Sequence, residues 1–571
     1  MENNNIDAAV TLDSTGQIQQ LEHEINGLRT ELDQLKDENT HLAEVVRQYQ
    51  KMLFGQSSEK TKYAVEEQSG DQISLFNEAE AESNPKAEEP RTLVAGHSRK
   101  PKRTHEEMAK DLPVVEIVHT LPEEERVCPK CGDALKIIGQ AKVRDEMIFE
   151  PARYYINRHM QESYVCGCCG KDTAKDAEMP DVAAQTIVRA PAPKPVLPNS
   201  MASASLLSYV LYAKYALALP LYRLEQDFKN NGLSIPRVTL ANWVIRSAEM
   251  YLEPIWEALR ASVLAENVVQ ADETRTQVLK EKGRKATQKS YMWVFCSGEF
   301  SAKPAVLYMY SPSRAGENAK TFLGEYNKYL IVDGYDGYNG LNAERCGCIA
   351  HLRRRFKDAM PEGTALYEPA KEPPWRPKSN KERYEFKKEI LEDLKSHPVK
   401  SAVGFFLCNE LFDLERAGKY DIKERIKIRR ECASVLLEVF WSWLDSVNPG
   451  KGTALSRAVN YALNERKYLV KFLDDPIVPV SNNRCENSVR PFCVGRRNWL
   501  FSATPKGAKS SAIVYSIIET AKSNNLKPYH YLSWLFETMS QADTFDDNLI
   551  ASVLPWSEAV PADCKLPISA N

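Results

Sequence analysis

Tyr329-Leu330-Ile331-Val332-Asp333-Gly334-Tyr335-Asp336-Gly337-Tyr338 is an apolar run that ends in an acid and is cut off by a glycine. Four apolar residues in succession suit a strand covered on both faces. An acid at the exit of such a strand stands at the rim of its sheet, where ligands of α/β sheets gather. Asp336 is the rival acid, but it lies beyond the glycine, in the loop. Taken alone, Asp333 reads more readily as a turn-forming aspartate. The choice depends on whether other acids have matching settings.

Working outward, Val268-Val269-Gln270-Ala271-Asp272 reads as a first strand, Tyr291 to Cys296 as a second and Ala305 to Tyr310 as a third. The first connection carries Lys280, Lys282, Arg284, Lys285 and Lys289. Arg314 to Tyr326 suits a helix, and the strand ending at Asp333 is the fourth. Cys346 to Ala350 suits a fifth short strand, leading into a helix with His351, Arg353, Arg354, Arg355 and Lys357. Three strands, a helix, a strand and further αβ is the order of a ribonuclease-H-like mixed sheet, in which the first and fourth strands are neighbours. Asp272 and Asp333 can then share one metal. Glu273 points to the opposite face, because side chains alternate along a strand.

A third acid is expected from a later helix. Asn483, Glu486, Asn487 and Arg490 fall at helical spacing on one side, with Val489 and Phe492 available to bury the other. Residues 484 to 509 hold six basic residues and a single acid, Glu486. A lone carboxylate in a phosphate-attracting field suits a metal-dependent nuclease. Three converging carboxylates (Asp272, Asp333 and Glu486) can hold two divalent ions about 4 Å apart, and hard oxygen donors select Mg²⁺ or Mn²⁺. Candidate phosphate or DNA contacts are His351, Arg353, Arg354, Arg484, Arg490, Arg496, Arg497 and Lys506. His351 reads equally as a buried, hydrogen-bonded histidine.

At 571 residues the chain is long enough for several domains. With a formal charge of −3, affinity for nucleic acid must come from local basic patches. The start, M-E-N-N-N, is not a signal peptide, and no run of about 18 apolar residues suggests a membrane span. A cytoplasmic protein is expected.

Residues 1–60 contain a zipper. Leu21, Leu28, Leu35 and Leu42 occupy one seam position, and Ile18, Ile25, Leu32, Asn39 and Val46 the other. This pattern favours a parallel two-stranded coil with Asn39 setting register, hence a homodimer or larger assembly. Residues 61–105 are acidic, then basic at Arg99, Lys100, Lys102 and Arg103, and read as a disordered linker. Within 106–188, Cys128-Pro-Lys-Cys131 and Cys166-Gly-Cys168-Cys169 form two knuckles. Paired thiolates on tight turns suit structural zinc, with Cys128, Cys131, Cys166 and Cys169 as ligands and Cys168 an alternative to Cys166. Residues 199–264 are helical. There, Ser234 to Trp243 reads either as a helix-turn-helix presenting Arg237, Thr239 and Asn242 to bases, or as a bundle bracing the next domain. The core is expected at 265–360 and 481–525, interrupted by a mainly helical insertion at 361–480. Trp375, Trp441 and Trp443 of the insertion read as core residues, with base stacking the alternative. Residues 526–571 form a C-terminal helical tail.

Together, Q-A-D-E-T, V-D-G-Y-D-G-Y, G-C-I-A-H-L-R-R-R-F and N-N-R-C-E-N-S-V-R-P-F-C-V-G-R-R-N-W-L-F resemble a DDE transposase of insertion-sequence family sixty-six. L-F-G-Q-S-S-E-K, C-P-K-C-G, H-Y-L-S-W-L-F and L-P-W are similar to that family's other signatures, so the resemblance spans nearly the whole chain. It implies a ribonuclease-H-like core with Asp272, Asp333 and Glu486 as the catalytic triad, and Mg²⁺ as the metal. It also implies binding of terminal inverted repeats, metal-dependent cleavage and strand transfer, and small accessory proteins encoded alongside. Two departures stand out: the additional Cys168, and Cys485 where an aliphatic residue is expected. A catalytically silent DNA-binding regulator and a structure-selective metal-dependent nuclease are the alternatives.

Overall fold

The computed structural model describes residues 154–160, 162–165, 187–189, 192–369, 375, 380–418 and 421–567. The zipper, the acidic linker, the basic run and the cysteines at 128, 131, 166, 168 and 169 lie outside the described residues. Of the zinc-ribbon stretch, two short strands are described. β1 (Ser163–Val165) and β2 (Ile187–Arg189) pair antiparallel, Tyr164 opposite Val188.

Four helices follow: α1 (Ala204–Tyr215), α2 (Leu221–Asn230), α3 (Arg237–Ser247) and α4 (Glu253–Ala265), with a π turn at Ala248–Leu252. The breaks fall at Pro220, which lacks an N–H, and at Gly232, whose φ of 81° is in the left-handed region. α3 begins one residue after Pro236, and the backbone N–H of Arg237 donates to Glu225 at 2.9 Å. Leu240, Trp243 and Val244 bury one side of α3, while Arg237 and Asn242 are exposed and Thr239 is partly covered.

The central sheet has β3 (Val268–Gln277), β4 (Lys289–Ser297), β5 (Val306–Ser311), β6 (Tyr329–Ile331) and β7 (Glu344–Cys346). Its order is β5-β4-β3-β6-β7: the first three run antiparallel and β3-β6-β7 parallel. The chain is thus a mixed α/β protein with a five-stranded mixed sheet. The first and fourth strands are neighbours, with Val269 opposite Leu330 and Gln270 opposite Ile331.

Several boundaries differ from the sequence-based expectation, and β6 itself closes at Ile331, two residues before Asp333. β3 runs five residues past Asp272, because Thr274 to Gln277 pair with Lys289 to Met292 despite their polarity. Lys289 therefore opens β4 rather than closing the connection. α5 is Glu317–Leu323, shorter than the apolar pattern suggested. The fifth strand ends at Cys346, and Ile349 already opens α6 (Ile349–Asp358), whose covered side is Leu352 and Phe356.

After α6 come α7 (Asn380–Ser396), α8 (Lys400–Ala417), α9 (Ile422–Ile428), α10 (Ser434–Leu444) and α11 (Ala454–Leu469). Trp375, Trp441 and Trp443 are buried, and Trp375 Nε1 donates to Glu410 at 2.8 Å. Their faces pack the core and are not offered to bases. That core is continuous with the sheet: Ile331, Cys346, Leu352 and Phe356 pack in one cluster with Val403, Phe440 and Trp443. α6 is therefore packed against α8 and α10.

The chain then returns to the sheet through α12 (Asn483–Trp499) and α13 (Pro505–Ser523). Thr504 caps α13 by accepting from Gly507 N at 3.1 Å, with Pro505 in the first turn. α13 covers β5, an edge strand whose outer amides would otherwise be bare. Ser516 and Thr520 hydroxyls accept from Tyr308 N and Val306 N at 2.8 and 3.0 Å. α14 (Pro528–Gln541) and α15 (Asp547–Val553) complete the described chain.

Candidate active site

The site is built on the parallel pair β3 and β6. Two residues beyond the paired Gln270 and Ile331, each strand carries an acid, Asp272 and Asp333. β6 is prolonged by Val332 N donating to Cys346 O at 3.1 Å, so Asp333 leaves the sheet at its rim. Its Oδ1 accepts from Tyr335 N at 2.9 Å, which turns the loop. Gly334 has a reason of its own: a Cβ there would lie 2.6 Å from Tyr461 Cε2. Asp336 is exposed in a single 3-10 turn, away from the strand end.

β3 separates its side chains by face. Gln270 Nε2 donates to Ser481 O at 2.9 Å, and Thr274 Oγ1 meets Cys493 Sγ at 3.5 Å. Both contacts are to α12 or its entry, so Asp272, between them, faces α12. Glu273 faces the other way, where Arg314 Nε and the Tyr338 hydroxyl donate to it at 2.7 and 2.6 Å.

α12 is docked by Asn482, the residue before its first turn. Asn482 Nδ2 donates to Ala271 O at 2.8 Å, and its backbone N–H to Cys348 Sγ at 3.2 Å. Cys485, Val489, Phe492 and Gly495 bury the inner side of the helix, and Cys485 Sγ donates to Val294 O at 3.4 Å. A small thiol with a buried acceptor accounts for a cysteine at this place. Glu486 stands one turn in, partly exposed. Its Oε2 accepts from Arg354 Nη2 at 2.9 Å, and its Oε1 lies 3.5 Å from His351 Nδ1.

The electrostatics tie the three acids together. Burial, followed by the negative charges of Glu273, Asp333 and Glu486, holds the Asp272 carboxyl well above its usual range, offset in part by the Glu273 N–H. Burial opposes the charged form of His351, but its hydrogen bond to Cys348 and the charges of Cys348, Glu486 and Asp333 outweigh that and lift its pKa to about 9. Glu486 Oε1 is buried without a hydrogen-bond partner. An orphaned carboxylate oxygen near acids that repel one another is a setting a divalent cation would relieve.

The basic residues divide into three groups. Arg484 donates to Gly298 O at 2.8 Å, Arg353 to Asn409 Oδ1 at 2.5 Å and Arg496 to Thr274 Oγ1 at 3.2 Å. These three brace the fold, which their exposed-looking sequence context does not reveal. Arg354 holds Glu486. Arg490 is exposed, Arg497 partly so, and Lys506 pairs at the surface with Glu249 at 2.8 Å.

Other residues near the acids escaped the sequence reading. Arg345 is buried in an ion pair with Glu465 at 2.6 Å and donates to Asp333 O at 3.0 Å. Glu465 and Tyr461 come from α11, more than a hundred residues along the chain. Burial raises the Glu465 carboxyl; Arg345 draws it down, and Asp333 and Asp336 push it up.

The Transposase IS66 family pattern matches residues 199–510, more than half of the chain. The chain belongs to the IS66 transposase family. Three shorter patterns agree with that membership. They are Transposase C of IS166 homeodomain at 41–117, the zinc-finger binding domain of transposase IS66 at 125–170 and the IS66 C-terminal element at 516–556. The zinc-finger match includes both cysteine knuckles, which supports structural zinc in this IS66 family member. Uncharacterized protein y4jD of Sinorhizobium fredii is 27% identical over 467 residues, 79% of this chain and 81% of that protein. Uncharacterized protein y4hP of the same organism is 24% identical over 449 residues, covering 76% and 74%. Among the described residues, no helix is long and apolar enough to cross a membrane.

Proposed function

We propose that the chain is an element-specific DDE transposase that binds the terminal inverted repeats of its insertion sequence, cleaves at their ends and joins them to target DNA. The observation that carries this reading is geometric: Asp272 and Asp333 each stand two residues past a paired position of the neighbouring parallel strands β3 and β6, and the helix that carries Glu486 packs against the Asp272 face of β3. The sheet order, with antiparallel strands on one side of β3 and parallel strands on the other, favours a ribonuclease-H-like core at 265–360 and 481–525, with 361–480 inserted.

In this reading Asp272, Asp333 and Glu486 hold the divalent ions. Bound Mg²⁺ or Mn²⁺ supplies activation of the attacking hydroxyl and stabilisation of the leaving oxygen. Arg354 keeps Glu486 oriented and contributes positive charge near the scissile phosphate. His351, protonated at neutral pH by its raised pKa, adds a second cation there. Arg490, Arg497 and Lys506 contact the DNA backbone, while Arg353, Arg484 and Arg496 hold the elements that carry the site. The zipper pairs protomers, and the zinc ribbon and the 199–264 helices grip the element ends. Small accessory proteins encoded alongside complete the assembly, which works on bacterial DNA in the cytoplasm.

An end-joining assay with wild type, Asp333→Asn and Glu486→Gln tests the reading. Joint loss of cleavage and joining in both variants supports it. Wild-type cleavage without joining supports a structure-selective nuclease instead. Variants that match wild type leave a DNA-binding regulator.

A further inference from the structure

We propose that Cys348, His351 and Glu486 form a second metal site, for zinc or a similar borderline divalent ion, whose occupation withdraws Glu486 from the acid cluster. The withdrawal rests on the proposed transposase reading; the site itself does not.

The three residues offer one sulfur, one nitrogen and one oxygen, all within 4.8 Å of one another. Cys348 is the residue before α6 and His351 lies in that helix's first turn, so the i, i+3 spacing puts both on one side. Glu486 reaches them from α12. His351 Nδ1 and Glu486 Oε1 stand 3.5 Å apart, both buried and neither with a hydrogen-bond partner. A metal ion bonded to both atoms would satisfy both. Cys348 Sγ already accepts from the Asn482 N–H at 3.2 Å, the kind of supporting bond that steadies a ligating sulfur.

The donor set separates this site from the carboxylate cluster. Sulfur and imidazole suit zinc, and three protein ligands leave a fourth position open. Mg²⁺ asks for oxygen only. Arg354 occupies Oε2 of Glu486 at 2.9 Å, leaving Oε1 as the one oxygen that both metals would use. Zinc at Cys348 and His351 therefore competes with the hard cation for a single atom. The His351 and Glu486 side chains are 22% and 19% exposed, so the site has an opening to solvent.

The test counts zinc. Full-length wild type, Cys348→Ser, His351→Gln and Asp272→Asn are equilibrated at one buffered free Zn²⁺ concentration, checked for folding by thermal melt, and their bound zinc measured. Wild type and Asp272→Asn are expected to hold one zinc per chain more than Cys348→Ser and His351→Gln. Equal zinc in wild type and both folded site variants overturns the site. In parallel, Mn²⁺ binding is followed by electron paramagnetic resonance with and without zinc. Zinc is expected to weaken it at least tenfold in wild type and to leave it unchanged in Cys348→Ser. Mn²⁺ binding indifferent to zinc in wild type overturns the competition. Mn²⁺ that fails to bind wild type even without zinc counts against the transposase reading, and leaves the zinc count to stand or fall by itself.

Discussion

The two faces of β3 treat neighbouring acids in opposite ways. Glu273 is fully covered, yet an arginine and a tyrosine hydroxyl meet its two oxygens. Asp272, one residue earlier, faces Asp333 and Glu486 with no cation of its own, and Glu486 keeps one oxygen unbonded. A carboxylate answered by protein groups builds the fold. Asp272, which meets no cation of the chain, and the unbonded oxygen of Glu486 are held ready for something the chain does not supply. Proximity of acids therefore does not define the site; the missing counter-charge does.

Neutralising one acid on each face should break the comparison most sharply. Asp272→Asn is expected to lower end cleavage by about 10²–10³-fold or more, the scale seen when a group that stabilises developing charge is lost. Its melting temperature should stay level or rise, because a repelled charge has been removed. Arg345→Met gives the reverse pattern. It leaves Glu465 buried and unpaired, at a cost of about 3–5 kcal/mol, read as a large fall in melting temperature by calorimetry. Asn482→Ala loosens the docking of α12 without touching an acid. Supporting groups of this kind carry about 10–100-fold in metal affinity, so a Mn²⁺ titration should weaken within that range.

Glu273→Gln should cost less, about 1–2 kcal/mol, because Arg314 is partly exposed and the amide still accepts from Tyr338. The smallest effect is a pH dependence. The fold favours protonated Asp272, so its contribution to stability is full below the usual carboxylate range, near pH 4, and is lost as pH rises toward its elevated folded value. A divalent ion needs the ionised form. The rise in melting temperature on adding Mg²⁺ should therefore grow over that same rising-pH window and vanish in Asp272→Asn.

Much of this contrast was legible in the residues. The apolar run into Asp333, the Val-Val approach to Asp272 and the i, i+3, i+4 stripe around Glu486 are local patterns, and alternation alone put Glu273 on the other face. What stayed hidden was pairing across distance. Nothing near Glu273 announces Arg314, 41 residues on, and nothing near Arg345 announces Glu465 on α11. The bonds of Arg484 to Gly298 and of Arg496 to Thr274 were hidden too, because a basic residue on a helix looks the same whether it meets DNA or another part of the fold. The length of β3 was missed for a related reason. Its second half is polar, and its strand character comes from pairing with β4.

Direct titration of Mn²⁺ into full-length wild type, Asp272→Asn, Glu486→Gln and Glu273→Gln bears most directly on the central claim. The account predicts that Asp272→Asn and Glu486→Gln lose the carboxylate-held ion while Glu273→Gln keeps it at wild-type affinity. Loss of the ion in Glu273→Gln, with retention in Asp272→Asn and Glu486→Gln, would contradict it.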